Sequence, residues 1–267
     1  MWSTHAFGGT GMLRLLLFAL LMCIPVSSHA ATYWDVEFVA GDFGTASQSQ
    51  FGPLPSAMTI DTGTVFSGAS SLKYTYGPEC YQNLNSACGG SATRYFPVTN
   101  EHYGRFWIRL SSDYAVGVNN HSKMFGVRSQ TGFSKIWFDF NGGTNLIVQA
   151  ENTPTDGRTQ NYQLNISITR GVWTCVEWRM RENTGGLSNG ILQAWKDGIE
   201  TVNYTDRPWR PAGELMAWNF ILLYRQSGVG AVYLDRMAVG STRIGCSGTT
   251  PPQDTTNPNP PTNFAAQ

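Results

Sequence analysis

Almost every apolar run in this chain is short, rich in Val, Ile, Tyr, Phe and Trp, and bounded by Gly, Asn, Asp or Pro. No segment keeps a helical period over several turns, whereas many runs alternate apolar and polar residues, the signature of half-buried strands. Strands are expected over 33–39, 71–76, 93–97, 105–110, 123–128, 135–140, 146–150, 162–166, 173–181, 190–196, 198–204, 219–225 and 230–239. So many alternating strands can share one core only by stacking two antiparallel sheets. The expected fold is therefore all-β, a jelly-roll sandwich.

The chain opens with Met12-Leu13-Arg14 running into LLLFALLMCIPV and then SSHA, which has the charged start, short apolar stretch and small-residue exit of a signal peptide. Cleavage is expected after Ala30, giving a secreted, extracellular or periplasmic protein with no membrane anchor afterwards. The 267 residues hold 18 basic and 18 acidic side chains. Removal of 1–30 takes away only Arg14, so no global basic field is present to collect nucleic acid. Residues 31–246 suit one large β domain, expected to be a monomer. Residues 247–267, rich in Pro, Thr and Asn, read as a linker or tail.

Four cysteines remain after export: Cys80, Cys88, Cys175 and Cys246. Two disulfides are expected, and of the three possible pairings Cys80–Cys88 with Cys175–Cys246 is favoured. No cofactor is required by the residues. A structural calcium ion is conceivable where Glu37 and Asp42 approach Asp235.

Read face by face, the strands carry charge and aromatics opposite an apolar stripe. In YGRFWIRL, Phe106, Ile108 and Leu110 go inward and Arg105, Trp107 and Arg109 outward. In GVWTCVEWRMREN, Thr174, Val176, Trp178 and Met180 go inward and Cys175, Glu177, Arg179 and Arg181 outward. In SKIWFDFNG, Ile136, Phe138 and Phe140 go inward and Lys135, Trp137 and Asp139 outward. An ordinary wet sheet face accounts for any one of these. Three together suggest a surface that stacks sugar rings on indoles and holds carboxylates or sulfates with guanidinium forks. The stretch NGILQAWKDGIETVNY adds a hairpin at Asp197-Gly198, with Trp195 beside the turn.

The order of residues in GVWTCVEWRMRENTGGLSNGILQAWKDG, followed by VYLDRMAVGSTRIGC, resembles the concanavalin A-like lectin/glucanase superfamily. Within it the chain is similar to the alginate and glucuronan lyases, especially polysaccharide lyase family 14. The stretch VFSGASSLKYTYG is similar to the strand that starts many such domains, and HSKMFGVRS to a His…Lys segment of the lyases. Met124 and Phe125 stand where that segment has Leu-Pro, and the Q-x-H motif of other alginate lyases is absent. The resemblance covers residues 33–246.

It implies β-elimination on an acidic polysaccharide. Lys123 and Tyr224 are the expected proton-transfer pair, with His121 beside them and Tyr233 as a substitute for Tyr224. Arg105, Arg109, Arg128 and Arg179 are expected to hold carboxylates with help from Gln226, and Trp107 and Trp195 to stack on rings. A regular strand would point Lys123 and Arg128 to opposite faces, so both can serve only across a bulge. A noncatalytic carbohydrate-binding or adhesin module is the alternative. A glycoside hydrolase ranks third, because it needs two carboxylates astride the bond, the E-x-D-x-x-E strand of laminarinases is absent, and Glu177, which could pair with Asp139, shares its face with Arg179 and Arg181.

Overall fold

The computed structural model describes residues 32–77, 80, 90–129, 135–151, 160–210, 212–213 and 217–246. The expected signal peptide, the tail from Ser247 and Cys88 lie outside the described residues.

The elements in chain order are β1 (Thr32–Val36), a 3-10 turn at Ala40–Asp42, β2 (Met58–Asp61), β3 (Ser71–Tyr76), β4 (Ser91–Thr99), β5 (Glu101–Leu110), β6 (Ala115–Val116) and β7 (His121–Ser129). There follow β8 (Lys135–Asn141), β9 (Asn145–Glu151), β10 (Gln160–Ser167), β11 (Thr174–Arg181), β12 (Gly190–Lys196), β13 (Ile199–Arg207), β14 (Trp218–Tyr224) and β15 (Gly228–Gly240). Each strand expected from the sequence is present. The short β2 and β6 were not, because four and two residues are too few to display a period.

Two antiparallel sheets result. One runs β13-β12-β11-β5-β15-β3-β2, with β1 and β6 also paired to β15; the other runs β10-β9-β8-β7-β14-β4. The inward stripes meet in one core, where Phe106 of the first sheet lies 5.1 Å from Phe125 of the second and Trp178 lies 5.1 Å from Phe138, ring centre to ring centre. Gly104 is part of that fit. A Cβ there would stand 1.9 Å from Trp178 Cζ2, so only glycine lets the indole lie against β5. Between β12 and β13 the chain reverses through Asp197 and Gly198, both at positive φ (50° and 86°), the conformation that makes Asp-Gly a hairpin signal.

Candidate functional site

The six-stranded sheet carries the site. Along β7 the pairing to β8 runs His121↔Asn141, Ser122↔Phe140, Lys123↔Asp139 and then skips to Phe125↔Phe138. Met124 is the extra residue of a β-bulge, and it and Phe125 are both fully buried in the core. The bulge resets the alternation. His121 and Lys123 point away from the core before it, and Gly126 and Arg128 do so after it. The Met124 carbonyl accepts a hydrogen bond from the Tyr74 hydroxyl of β3 at 3.2 Å, a bond made across the sandwich.

The centre of this outer face is Trp137 of β8, whose indole is itself buried at 5% exposure. It lies flat on β7: a Cβ on Gly126 would come within 2.9 Å of the indole. The Lys123 ammonium sits 4.8 Å and the Arg128 guanidinium 4.3 Å from the indole ring, and the Tyr224 ring of β14 lies 5.0 Å away. One indole thus gathers two cations and a phenol. Lys123 Nζ also pairs with the Glu151 carboxylate of β9, and Lys123 N–H donates to Gln226 Oε1 at 3.3 Å. Burial lowers the Arg128 pKa from its ordinary value, with Glu151 and Tyr224 acting in the opposite direction.

His121 stands next to Lys123 and is held from behind. Its Nδ1 lies 2.9 Å from the fully buried carboxylate of Asp139, whose other oxygen accepts the Ser122 N–H at 2.7 Å. Asn141 Nδ2 is 3.4 Å from its Nε2. The hydrogen bond to Asp139 raises the His121 pKa and outweighs the opposing effect of burial. Around the cluster the face continues in polar side chains, with Gln149 Nε2 donating to Asn161 Oδ1 at 3.2 Å.

The structure therefore separates the residues singled out in the sequence. His121, Lys123, Arg128, Tyr224 and Gln226 come together. Arg105, Trp107, Arg109, Arg179, Trp195 and Tyr233 lie on the other sheet, where distant segments cover much of the outer face. Trp107, 6% exposed, is stacked under Phe66 at 3.7 Å with Trp173 and Cys175 beside it. Arg105, 4% exposed, donates to Asp35 at 2.7 Å and to the carbonyls of Arg236 and Gly245. Arg179 is tied to Glu101 and Gln193, Trp195 lies beneath Arg243 at 4.5 Å, and Tyr233 pairs in register with Arg109 and lies near Lys73. Arg105 and Trp107 form an internal seam, with Arg109 half-buried beyond it. The indole that would be costly to leave in water is covered by the protein itself.

Glu177 belongs to that seam as well. Buried, it accepts from Arg243 at 2.8 Å and from the Gly245 N–H at 2.7 Å, anchoring the segment that ends in the Cys175–Cys246 disulfide (Cα–Cα 6.0 Å). Glu177 and Asp139 sit on different sheets, so this pair of carboxylates does not flank one bond. Cys80 is disulfide-bonded. The calcium candidates are engaged separately. Asp235 accepts from the N–H groups of Phe66, Ser67 and Arg236, Glu37 pairs with Arg236, and Asp42 accepts from Val39 N–H. Among the described residues no three His, Cys, Asp or Glu side chains are grouped to hold a metal.

Sequence reasoning missed Trp137 as the platform, Glu151 as the partner of Lys123 and Asp139 as the support of His121. Only the outward parity of Trp137 and Asp139 was visible, and parity does not say which strands are neighbours.

Neither protein-family models nor the sequences of curated proteins give a match to this chain. Solved structures do. The marine PL-14 alginate lyase from Aplysia kurodai superposes with a TM-score of 0.56 at 11% identity, over 80% of this chain and 100% of that one. The alginate lyase vAL-1 from Chlorella virus gives 0.53 at 14% identity, over 69% and 89%. The chain has the fold of polysaccharide lyases. The cellulose-induced protein Cip1 shares it too, with a TM-score of 0.50 at 21% identity over 72% of this chain and 89% of that one. At such identities this lyase fold is established as a fold, and the chemistry must be argued from the cluster on its six-stranded sheet.

Proposed function

We propose that this protein is a secreted polysaccharide lyase that cleaves a uronate-containing polysaccharide by β-elimination. The observation that carries this reading is the bulge at Met124, which brings Lys123 and Arg128 to one outer face against Trp137, with Tyr224 on the same indole. Elimination needs three things at once: positive charge on the uronate carboxylate, a base at the carbon next to it, and a proton for the departing glycosidic oxygen. Arg128 supplies charge, and His121 and Gln226 polar contacts. Glu151 first takes a proton from the Lys123 ammonium; the freed amine takes the proton from the carbon next to the carboxyl, the carbon–carbon double bond forms, the carbon–oxygen bond breaks, Tyr224 protonates the leaving oxygen, and Lys123 then returns a proton to the Tyr224 phenolate. Glu151 holds the Lys123 side chain in place before substrate arrives. The described disulfide fits an oxidising compartment outside the cytosol. The same fold holds an alginate tetrasaccharide in the alginate lyase Aly36B, whose TM-score is 0.50 at 15% identity.

One observation favours a binding-only module: Lys123 is already neutralised by Glu151. Ultraviolet absorbance of unsaturated uronate separates the two readings. The full chain incubated with alginate or glucuronan should give a rising signal, abolished in Lys123→Ala and Tyr224→Phe. A flat trace on every polyuronate, with one of them retarding the protein in an affinity gel, would instead establish the module.

A further inference from the structure

A second concave site lies away from the Trp137 cluster, at the end of the sandwich where the β4–β5 turn meets the segments that follow β11 and β13. It is a pocket of about 290 Å³ lined by Asn100, Glu101, Arg181, Glu182, Thr184 and Arg210, with Asn183 in its wall. None of these residues belongs to the group around Trp137. The wall is built before any ligand arrives. Asn183 Nδ2 donates to the carbonyls of Thr184, Leu187 and Arg210 at 2.7–3.0 Å, and its Oδ1 accepts the Arg210 N–H at 2.6 Å. Asn189 Oδ1 accepts the Thr184 N–H at 2.8 Å.

Glu182 is the anomaly. Its side chain is 3% exposed, yet neither carboxyl oxygen has a hydrogen-bond partner, and the facing Arg210 also leaves its Nε without one. The nearest guanidinium nitrogen is 4.0 Å away, too far for a hydrogen bond. Buried polar groups in this condition call for a partner from outside the chain. Burial pushes the Glu182 pKa up to about 8 despite Arg210, so near neutral pH the carboxyl group both donates and accepts.

The charges around the pocket select the partner. Arg181 and Arg210 oppose a cation, while Glu101 opposes an anion. A neutral polyhydroxylated molecule suffers neither penalty. Adjacent hydroxyls match a carboxyl group that can donate and accept and a guanidinium N–H that can only donate, and the volume admits one ring and little more. We propose that the Glu182–Arg210 pocket is a second binding site, for a neutral sugar residue, independent of the cluster on the six-stranded sheet and of whether that cluster is catalytic.

The test is saturation-transfer NMR on the full chain with methyl glucoside and methyl mannoside, using methyl glucuronoside and glucosamine as charged comparisons. A neutral glycoside should receive saturation at concentrations up to about 20 mM. Glu182→Ala and Arg210→Met should each weaken binding about ten-fold, while Lys123→Ala leaves it unchanged. If Glu182→Ala does not fold, Arg210→Met alone decides. The proposal is overturned if no neutral glycoside binds, if the charged ones bind better, if Arg210→Met binds as the wild type does, or if Lys123→Ala removes the signal.

Discussion

Replacing His102 by leucine should remove much of this protein's sensitivity to acid. His102 of β5 is fully buried among Phe96, Trp178 and Trp218, at ring distances of 5.5, 6.4 and 5.1 Å, and neither ring nitrogen has a hydrogen-bond partner. Burial lowers its pKa from 6.5 to about 3. The folded state therefore keeps the ring neutral while the unfolded chain protonates it below pH 6.5. Stability is intact above that value and falls with acid by about 1.4 kcal/mol per pH unit until about pH 3. The loss reaches about 2 kcal/mol at pH 5 and about 3 kcal/mol at pH 4. Other groups titrate in the same range, notably Glu182 and Asp235, so the quantity to measure is the difference between wild type and His102→Leu. Urea unfolding at about pH 7, 6, 5 and 4, followed by tryptophan fluorescence, gives it directly. Leucine has a similar volume and no polar atoms, so at pH 7 it should be neutral or stabilising by about 1 kcal/mol. Its advantage should then widen along the slope given above. A difference constant from pH 7 to 4 would refute the reasoning, because the buried ring would then have found a proton or a partner in the folded state.

Tyr74→Phe deprives the Met124 carbonyl of its donor and should cost about 1–3 kcal/mol in urea unfolding. It should also reduce activity on polyuronates, since the bulge sets the faces of both Lys123 and Arg128. Gly104→Ala forces a methyl group into Trp178 and should destabilise by about 3 kcal/mol or fail to fold, as judged by thermal melting. Removing the 71-residue link between Cys175 and Cys246 by double alanine substitution should cost up to about 4 kcal/mol in denaturant unfolding. For Glu182 the sign is opposite to His102. Its folded pKa is raised from 4.5 to about 8, so its stability contribution is full below 4.5 and lost as pH rises through 8. Glu182→Gln should accordingly gain on the wild type between pH 5 and 8 in the same unfolding assay, and an unchanged difference would place the carboxyl group in water.

The alternation of residues within each strand by itself determined the sandwich. Period-two runs oblige one face of each strand to be buried, and the Asp197-Gly198 pair dictates its own turn through backbone conformation alone. It also separated inward Phe106, Phe138 and Trp178 from outward Trp107, Trp137 and Asp139, because side-chain parity is a local property. What it could not determine is what covers each of two similar outer indoles, which end at 6% and 5% exposure. Trp107 and Trp137 look alike in sequence, but Phe66 closes over the first and Lys123, Arg128 and Tyr224 gather around the second. Those partners come from strands and loops tens of residues away, and only the sheet order brings them in. The one local feature that unites Lys123 with Arg128 is also tertiary in origin. A bulge at Met124 adds no mark to the amino-acid pattern, since it forms where Met124 and Phe125 can both bury in the core and Tyr74 can satisfy the carbonyl that the ladder releases.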